Sequence, residues 1–148
     1  MKYFDSYTLN YDMSDPDINY KYYHSYRVMD LMEILATNLK LNQKDIELAK
    51  VIGLLHDIGR FEQDKLYNSF KDTEMDHGDY GVTILIETKI LDKTNIDKTD
   101  YEVVYKANQI IPQIAEAGPK YDYGYVIAHG GVSANDVIER CPICGGDV

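Results

Sequence analysis

Residues 46 to 59, IELAKVIGLLHDIG, decide the fold of this 148-residue chain. The stretch is so rich in aliphatic side chains that a helix formed from it must be largely buried. Asn42, just before it, can cap the N-terminus of that helix. Gly59 predicts its end, followed by a loop until about residue 75. His56 and Asp57 are therefore expected where a buried helix ends, at the edge of the core.

Further helices are predicted on both sides of this one. Ser14 can cap a helix that starts near Pro16, and apolar residues at helical spacing continue it to Leu39. Residues 76–91 predict another helix. The run 83–86 alone is also compatible with a strand, but the length and the acidic start of the segment favour a helix.

The composition of the chain changes after the fourth predicted helix, which covers about residues 100–117 and is kinked or divided by Pro112. Of the 10 glycines, 6 lie in the last 43 residues, together with only 2 of the 12 lysines. We therefore predict an all-α helical domain over residues 1–118 and an irregular tail over residues 119–148.

The tail has its own signals. Residues 121–128 alternate weakly, as in a short strand, and Cys141 and Cys144 form a C-x-x-C pair followed by glycine. This knuckle resembles half of a rubredoxin or zinc-ribbon site. A complete site needs more ligands, and only His129 is near in sequence, so an unliganded tail is favoured over a zinc site.

Composition excludes several classes of function. The chain is 45% hydrophobic and 27% charged, as in a soluble globular protein, and no apolar run is long enough to span a membrane. No signal peptide is recognisable, so a cytoplasmic location is expected. The net charge of −10 argues against nonspecific binding to nucleic acid or to anionic membranes.

The His56-Asp57 pair indicates a metal site. An unpaired carboxylate at the edge of a core is strongly disfavoured, and a divalent cation would satisfy both side chains. Imidazole and carboxylate together suit first-row transition metals. A third ligand from another helix would complete an inward-facing site, and His24 is the natural candidate.

The segments HSYRVMDLM, residues 24–32, and LLHDIGRFEQ, residues 54–63, resemble the HD superfamily of metal-dependent phosphohydrolases. The resemblance covers about residues 14–92 and implies an all-α HD-domain helical bundle. It also implies that the first histidine and the His-Asp pair about 30 residues later bind the metal, which favours a metal site at His24, His56 and Asp57 over an accidental dipeptide.

The resemblance implies roles for three more residues. Arg27 and Arg60 occupy positions often near the substrate phosphate, although pairing with the many carboxylates of this acidic chain is an equal alternative. His77, in MDHGDYGV, matches the histidine that binds a second metal in members with a binuclear site. It stands equally well at the start of a helix as part of a cap.

The chain departs from the family pattern after YEVVYKA, residues 101–107. HD proteins supply a distal aspartate as the last ligand of the main site, and no segment here matches the one that carries it. Asp100, Asp122 and Asp136 are the only later aspartates that we nominate. The break also suggests a truncated or fused chain.

Two functions from different classes are compatible with these observations. The first is a phosphohydrolase acting on a phosphate ester, with Asp57, Arg60 and Arg27 at the reacting group and a phosphorylated small molecule, such as a nucleotide, as substrate. Manganese, iron, cobalt, nickel or magnesium would be the metal, with zinc as a further option. The second is a non-catalytic HD module that binds a nucleotide or a partner.

Overall fold

The computed structural model describes residues 1–116, and helices are the only regular elements in that part of the chain, as the sequence predicts. The α-helices are α1 (Lys2–Thr8), α2 (Pro16–Asn38), α3 (Gln43–Leu55), α4 (Ile58–Tyr67), α5 (His77–Thr88) and α6 (Tyr101–Glu116). Two 3₁₀ helices, Ile90–Lys93 and Lys98–Asp100, connect α5 to α6. The strand and the C-x-x-C knuckle expected in the tail lie outside the described residues.

Side-chain caps fix the starts of three helices. Asn42 and Asp76 each accept from the backbone N–H three residues later, at 2.9 Å, which confirms the predicted starts of α3 and α5. The prediction for α2 was wrong by one residue. Asp15 is its cap, accepting from the N–H two residues later at 2.8 Å, whereas the Ser14 hydroxyl donates to Asp12.

The loop predicted from residue 60 to about residue 75 is wrong in its first half. Helix α3 ends at Leu55, and after two residues α4 begins and continues to Tyr67. Ile58 and Phe61 of α4 are fully buried, so packing sustains a helix where Gly59 predicted a stop. Residues 83–86 are helical, which excludes the strand alternative, and α6 continues through Pro112 without division.

The core lies between the long helices α2 and α3 and the α4–α5–α6 group. Its buried apolar residues are Phe4, Ile18, Val51, Leu54, Leu55, Ile58, Phe61, Ile84, Leu85, Ile90, Leu91 and Val104. Helix α1, which the sequence did not predict, contributes Phe4. Its ring lies 5.7–5.9 Å from the rings of Tyr22, Tyr26 and Phe61.

Candidate metal centre

A two-residue break between α3 and α4 presents His56 and Asp57. The Nδ1 of His56 lies 2.7 Å from the carbonyl oxygen of Gly53. Because a carbonyl only accepts, Nδ1 carries the proton and Nε2 has a free lone pair. Asp57 occupies the N-cap position of α4 without using its carboxylate as a cap. Both side chains are thus free to meet residues from other helices.

Helix α2 brings His24 to this pair, as the sequence predicts. The Nε2 atoms of His24 and His56 are 3.3 Å apart, and they lie 3.5 and 3.4 Å from the Oδ2 of Asp57. Donors placed about 2.1 Å from an ion in tetrahedral arrangement are about 3.4 Å apart. The three side chains are at most 7% exposed. Their donor atoms therefore fit a single cation.

Burial and neighbouring charges set the protonation of the cluster. Burial, with the nearby His56, lowers the pKa of His24 to about 2, so its imidazole is neutral and able to ligate. Burial alone would raise the pKa of Asp57. The neighbouring His56, Lys21 and His77 side chains instead lower that pKa well below its ordinary value.

His77, the first residue of α5, faces the other oxygen of Asp57. Its Nε2 lies 3.4 Å from Oδ1, while its Nδ1 lies 2.9 Å from both carboxylate oxygens of Asp72. Asp72 therefore accepts a hydrogen bond from the Nδ1–H of His77 and orients the ring. Asp76, not His77, caps α5. The two oxygens of Asp57 thus face different histidines, Oδ2 facing His24 and His56.

Arg60 lies in a polar network on the far side of His77 that the sequence did not reveal. Its Nη1 lies 2.6 Å from the Oε1 of Gln63 and 3.2 Å from Asp72, and it also donates to the carbonyl of Phe70. The Nε2 of Gln63 donates to Asp72 at 2.8 Å. Gln63 lies one turn after Arg60 on α4, whereas Phe70 and Asp72 come from the connection between α4 and α5, for which sequence spacing gives no signal.

Arg27 is the other arginine that the resemblance places near a phosphate. It is exposed on α2, and its guanidinium lies 5.5 Å from the centre of the Tyr20 ring. Neither Arg27 nor Arg60 hydrogen-bonds to His24, His56 or Asp57. The structure thus brings the predicted histidines and aspartate together and leaves both arginines outside the cluster.

Lys21 is a member of the cluster that sequence reasoning missed. It stands one helical turn before His24, and its Nζ lies 2.8 Å from the Oδ2 of Asp57. The residue is 3% exposed. The i, i+3 spacing from His24 places both on one side of α2. A lysine in such a position is usually solvated, so only the packing of α2 against the α3–α4 break reveals its burial.

The distal carboxylate ligand is not found among residues 1–113, whose side chains the structure describes. Asp100 lies beside Lys44 at the start of α3, with 3.5 Å between their charged atoms, and is not part of the cluster. Asp122 and Asp136 lie outside the described residues, as do His129, Cys141 and Cys144. The donor set described by the structure consists of His24, His56 and Asp57.

Comparison with protein families agrees with this geometry. The model of the HD domain matches residues 22–117, more than half of the chain. The protein therefore belongs to the HD domain family, whose all-α fold the described helices show. This family is one of metal-dependent phosphohydrolases, and the buried His-Asp cluster is present here. Searches of curated proteins and of solved structures gave no match.

Proposed function

We propose that this protein is a metal-dependent phosphohydrolase that hydrolyses a phosphate ester, with His24, His56 and Asp57 as metal ligands. One observation carries the proposal: two imidazole nitrogens and one carboxylate oxygen, from α2 and from the break between α3 and α4, lie 3.3–3.5 Å from each other in a buried site. Donors of this kind at these distances suit manganese, iron, cobalt, nickel or zinc, and magnesium is a further candidate.

A divalent cation at this position would polarise a phosphoryl oxygen and lower the pKa of an attacking water. Hydrogen bonds within the protein fix the orientation of the imidazoles. The carbonyl of Gly53 fixes the tautomer of His56, and Asp72 fixes that of His77. The Oδ1 of Asp57 faces His77, which suits a bridging carboxylate if a second ion binds there. The substrate is a phosphorylated small molecule, and nucleotides are the first class to test.

Metal analysis combined with a phosphatase assay tests this proposal. The full chain is loaded with manganese, iron, cobalt, nickel, zinc or magnesium in turn, desalted, and measured by elemental analysis and with p-nitrophenyl phosphate and nucleoside monophosphates. Wild-type protein should retain about one ion per chain and hydrolyse at least one ester. His24→Ala should lose both properties at least tenfold.

The exposed neighbour of His24 provides a matched control. Tyr23, 54% exposed on α2, changes to alanine in the same helix without touching the cluster. Tyr23→Ala should therefore keep both the metal and the activity. Wild-type protein that retains no metal from any of these loadings would contradict the proposal.

The second candidate function is a non-catalytic HD module that binds a nucleotide or a partner. The ion pair between Lys21 and Asp57 favours it, because the ammonium already compensates the buried carboxylate without a metal. This module would bind a nucleotide equally well after treatment with a chelator and would show no turnover. A nucleotide affinity that depends on the metal would favour the hydrolase.

We expect the protein to act in the cytoplasm. Among the helices of residues 1–116, none is both long and apolar enough to cross a membrane. Fractionation of the cells that produce the protein tests this expectation.

A further inference from the structure

A buried lysine beside proposed metal ligands needs an explanation. The Nζ of Lys21 lies 2.8 Å from Oδ2 of Asp57, the same oxygen that faces the imidazoles of His24 and His56. The ammonium also lies 5.1 Å from the centre of the Phe70 ring. A cation and two metal-binding nitrogens therefore converge on a single carboxylate oxygen, and Lys21 stands one residue before the part of the chain matched by the family model.

Counting charges shows what this arrangement would attract. Lys21 and Asp57 offset each other, as do Arg60 and Asp72, whose charged atoms are 3.2 Å apart. Metal-bound imidazoles are neutral. With the described residues alone, a divalent cation in the cluster would therefore have both of its positive charges uncompensated in a buried place, where charge requires a partner. A phosphate monoester above pH 7 carries nearly two negative charges, whereas a diester carries one.

The position of the other cations points to Lys21 as the phosphate contact. Arg60 is held by Asp72, Gln63 and Phe70, and Arg27 is exposed beside Tyr20. In the part of the chain that the structure describes, Lys21 is the cationic side chain that hydrogen-bonds to a proposed metal ligand. An ammonium group has three donors, so its bond to Asp57 does not by itself exclude a bond to a phosphoryl oxygen.

We infer that Lys21 binds the phosphoryl group of the substrate and makes the site select dianionic phosphate monoesters over monoanionic diesters. The inference rests on the proposed function, because it needs the metal at His24, His56 and Asp57. Lys21 would then act as a specificity-determining residue, taking the place that the family resemblance gives to Arg27 and Arg60.

Calorimetric titration with two small esters tests the inference without turnover. The full chain loaded with Mn²⁺ is titrated at pH 8 with methyl phosphate, a dianion, and with dimethyl phosphate, a monoanion. Wild-type protein should bind methyl phosphate at least about tenfold more tightly than dimethyl phosphate. The second negative charge of the monoester would accept a charge-assisted hydrogen bond from Lys21. Equal or tighter binding of dimethyl phosphate would overturn the inference.

Substitution of Lys21 separates its effect from that of the metal. Lys21→Met should weaken the binding of methyl phosphate at least about tenfold and that of dimethyl phosphate less than about threefold, with the Mn²⁺ content unchanged. Lys44→Met, which removes a lysine that is 57% exposed on α3, should change neither affinity. If Lys21→Met does not fold, Lys21→Gln takes its place with the same expected loss.

Two results would overturn the inference while leaving the proposed function intact. The first is an affinity for methyl phosphate within twofold of the wild type in a Lys21→Met protein that holds Mn²⁺. The second is a parallel loss of both esters and of the metal, which would show a merely structural role. If wild-type protein binds no metal at all, the proposed function itself fails.

Discussion

Gly59 of α4 lies directly against the backbone carbonyl of His77 at the start of α5, with no room for a Cβ between them. This contact sets the distance between α4 and α5. It also places His77 beside Asp57, since the carbonyl and the imidazole belong to the same residue. The sequence predicts that a helix ends at Gly59. In the structure, this glycine is instead the point where α4 and α5 contact each other next to the candidate metal centre.

We expect Gly59→Ala to lower the free energy of unfolding by about 3 kcal/mol, because the new methyl group overlaps the His77 carbonyl and the backbone must move. A change from glycine to alanine inside a helix normally stabilises a protein by about 1 kcal/mol. A loss of stability in Gly59→Ala would therefore by itself indicate the contact with His77. Urea unfolding measures the change. Thr83→Ala, on the exposed side of α5, is the control and should stay near the wild-type midpoint, and a Gly59→Ala protein at or above that midpoint would refute the contact.

Asp57→Asn should destabilise the protein as well as empty the site. The substitution leaves the Lys21 ammonium buried without its carboxylate, and breaking such a pair costs about 3–5 kcal/mol. Metal content should fall at least about tenfold. The sequence alone gives no sign of this cost in folding, because it does not reveal the buried lysine.

The double variant Lys21→Met with Asp57→Asn checks this explanation. Removing both charges should recover more than half of the stability lost in Asp57→Asn alone, while the metal content stays low. Urea unfolding and elemental analysis on the same preparations give both numbers. Equal stability of the double and single variants would show that the pair is not coupled.

Asp64→Asn should raise the melting temperature at neutral pH. Asp64 is 4% exposed and its Oδ1 has no hydrogen-bond partner; burial, with the charges of Asp15 and Asp17, raises the pKa of its carboxyl. Because the folded pKa exceeds the unfolded one, the ionised group destabilises the fold above the folded pKa. The gain, about 1 kcal/mol or a few degrees, should be greatest near pH 7.

The pH dependence distinguishes this effect from a general change in net charge. As the pH falls through the raised pKa, wild-type Asp64 takes up a proton, so the advantage of the asparagine should disappear towards pH 4. Asp30→Asn, an exposed position on α2, should give no comparable gain. An advantage of Asp64→Asn that does not vary with pH would contradict the assignment.

A truncation after Gly118 should unfold at nearly the same temperature as the full chain. The segment after Gly118 offers few aliphatic side chains that could anchor it to a core, and a single C-x-x-C pair does not complete a four-coordinate zinc site. The difference should stay within the few degrees that about 1 kcal/mol represents for a domain of this size. A melting temperature lower by ten degrees or more, with release of the metal, would show that the tail covers the site.

Local signals in the sequence were sufficient for most of the helices. Asn42 caps α3 as predicted, and α5 starts at the predicted place with Asp76 as its cap, because a cap depends on residues only a few positions apart. Helix α1 gave no such signal. Seven residues are too few for a helical period and too few for a stable isolated helix, so α1 depends on the packing of Phe4 against rings from α2 and α4.

The sequence by itself indicated that His24, His56 and Asp57 belong together. A polar pair at the end of an apolar helix needs a partner, and the upstream histidine lies on another predicted helix that can supply one. Only the tertiary structure decided what surrounds them. The hydrogen bonds between Lys21 and Asp57 and between His77 and Asp72 join residues from different parts of the fold. Such contacts depend on the distance and rotation of packed helices, which residue spacing within one helix does not encode.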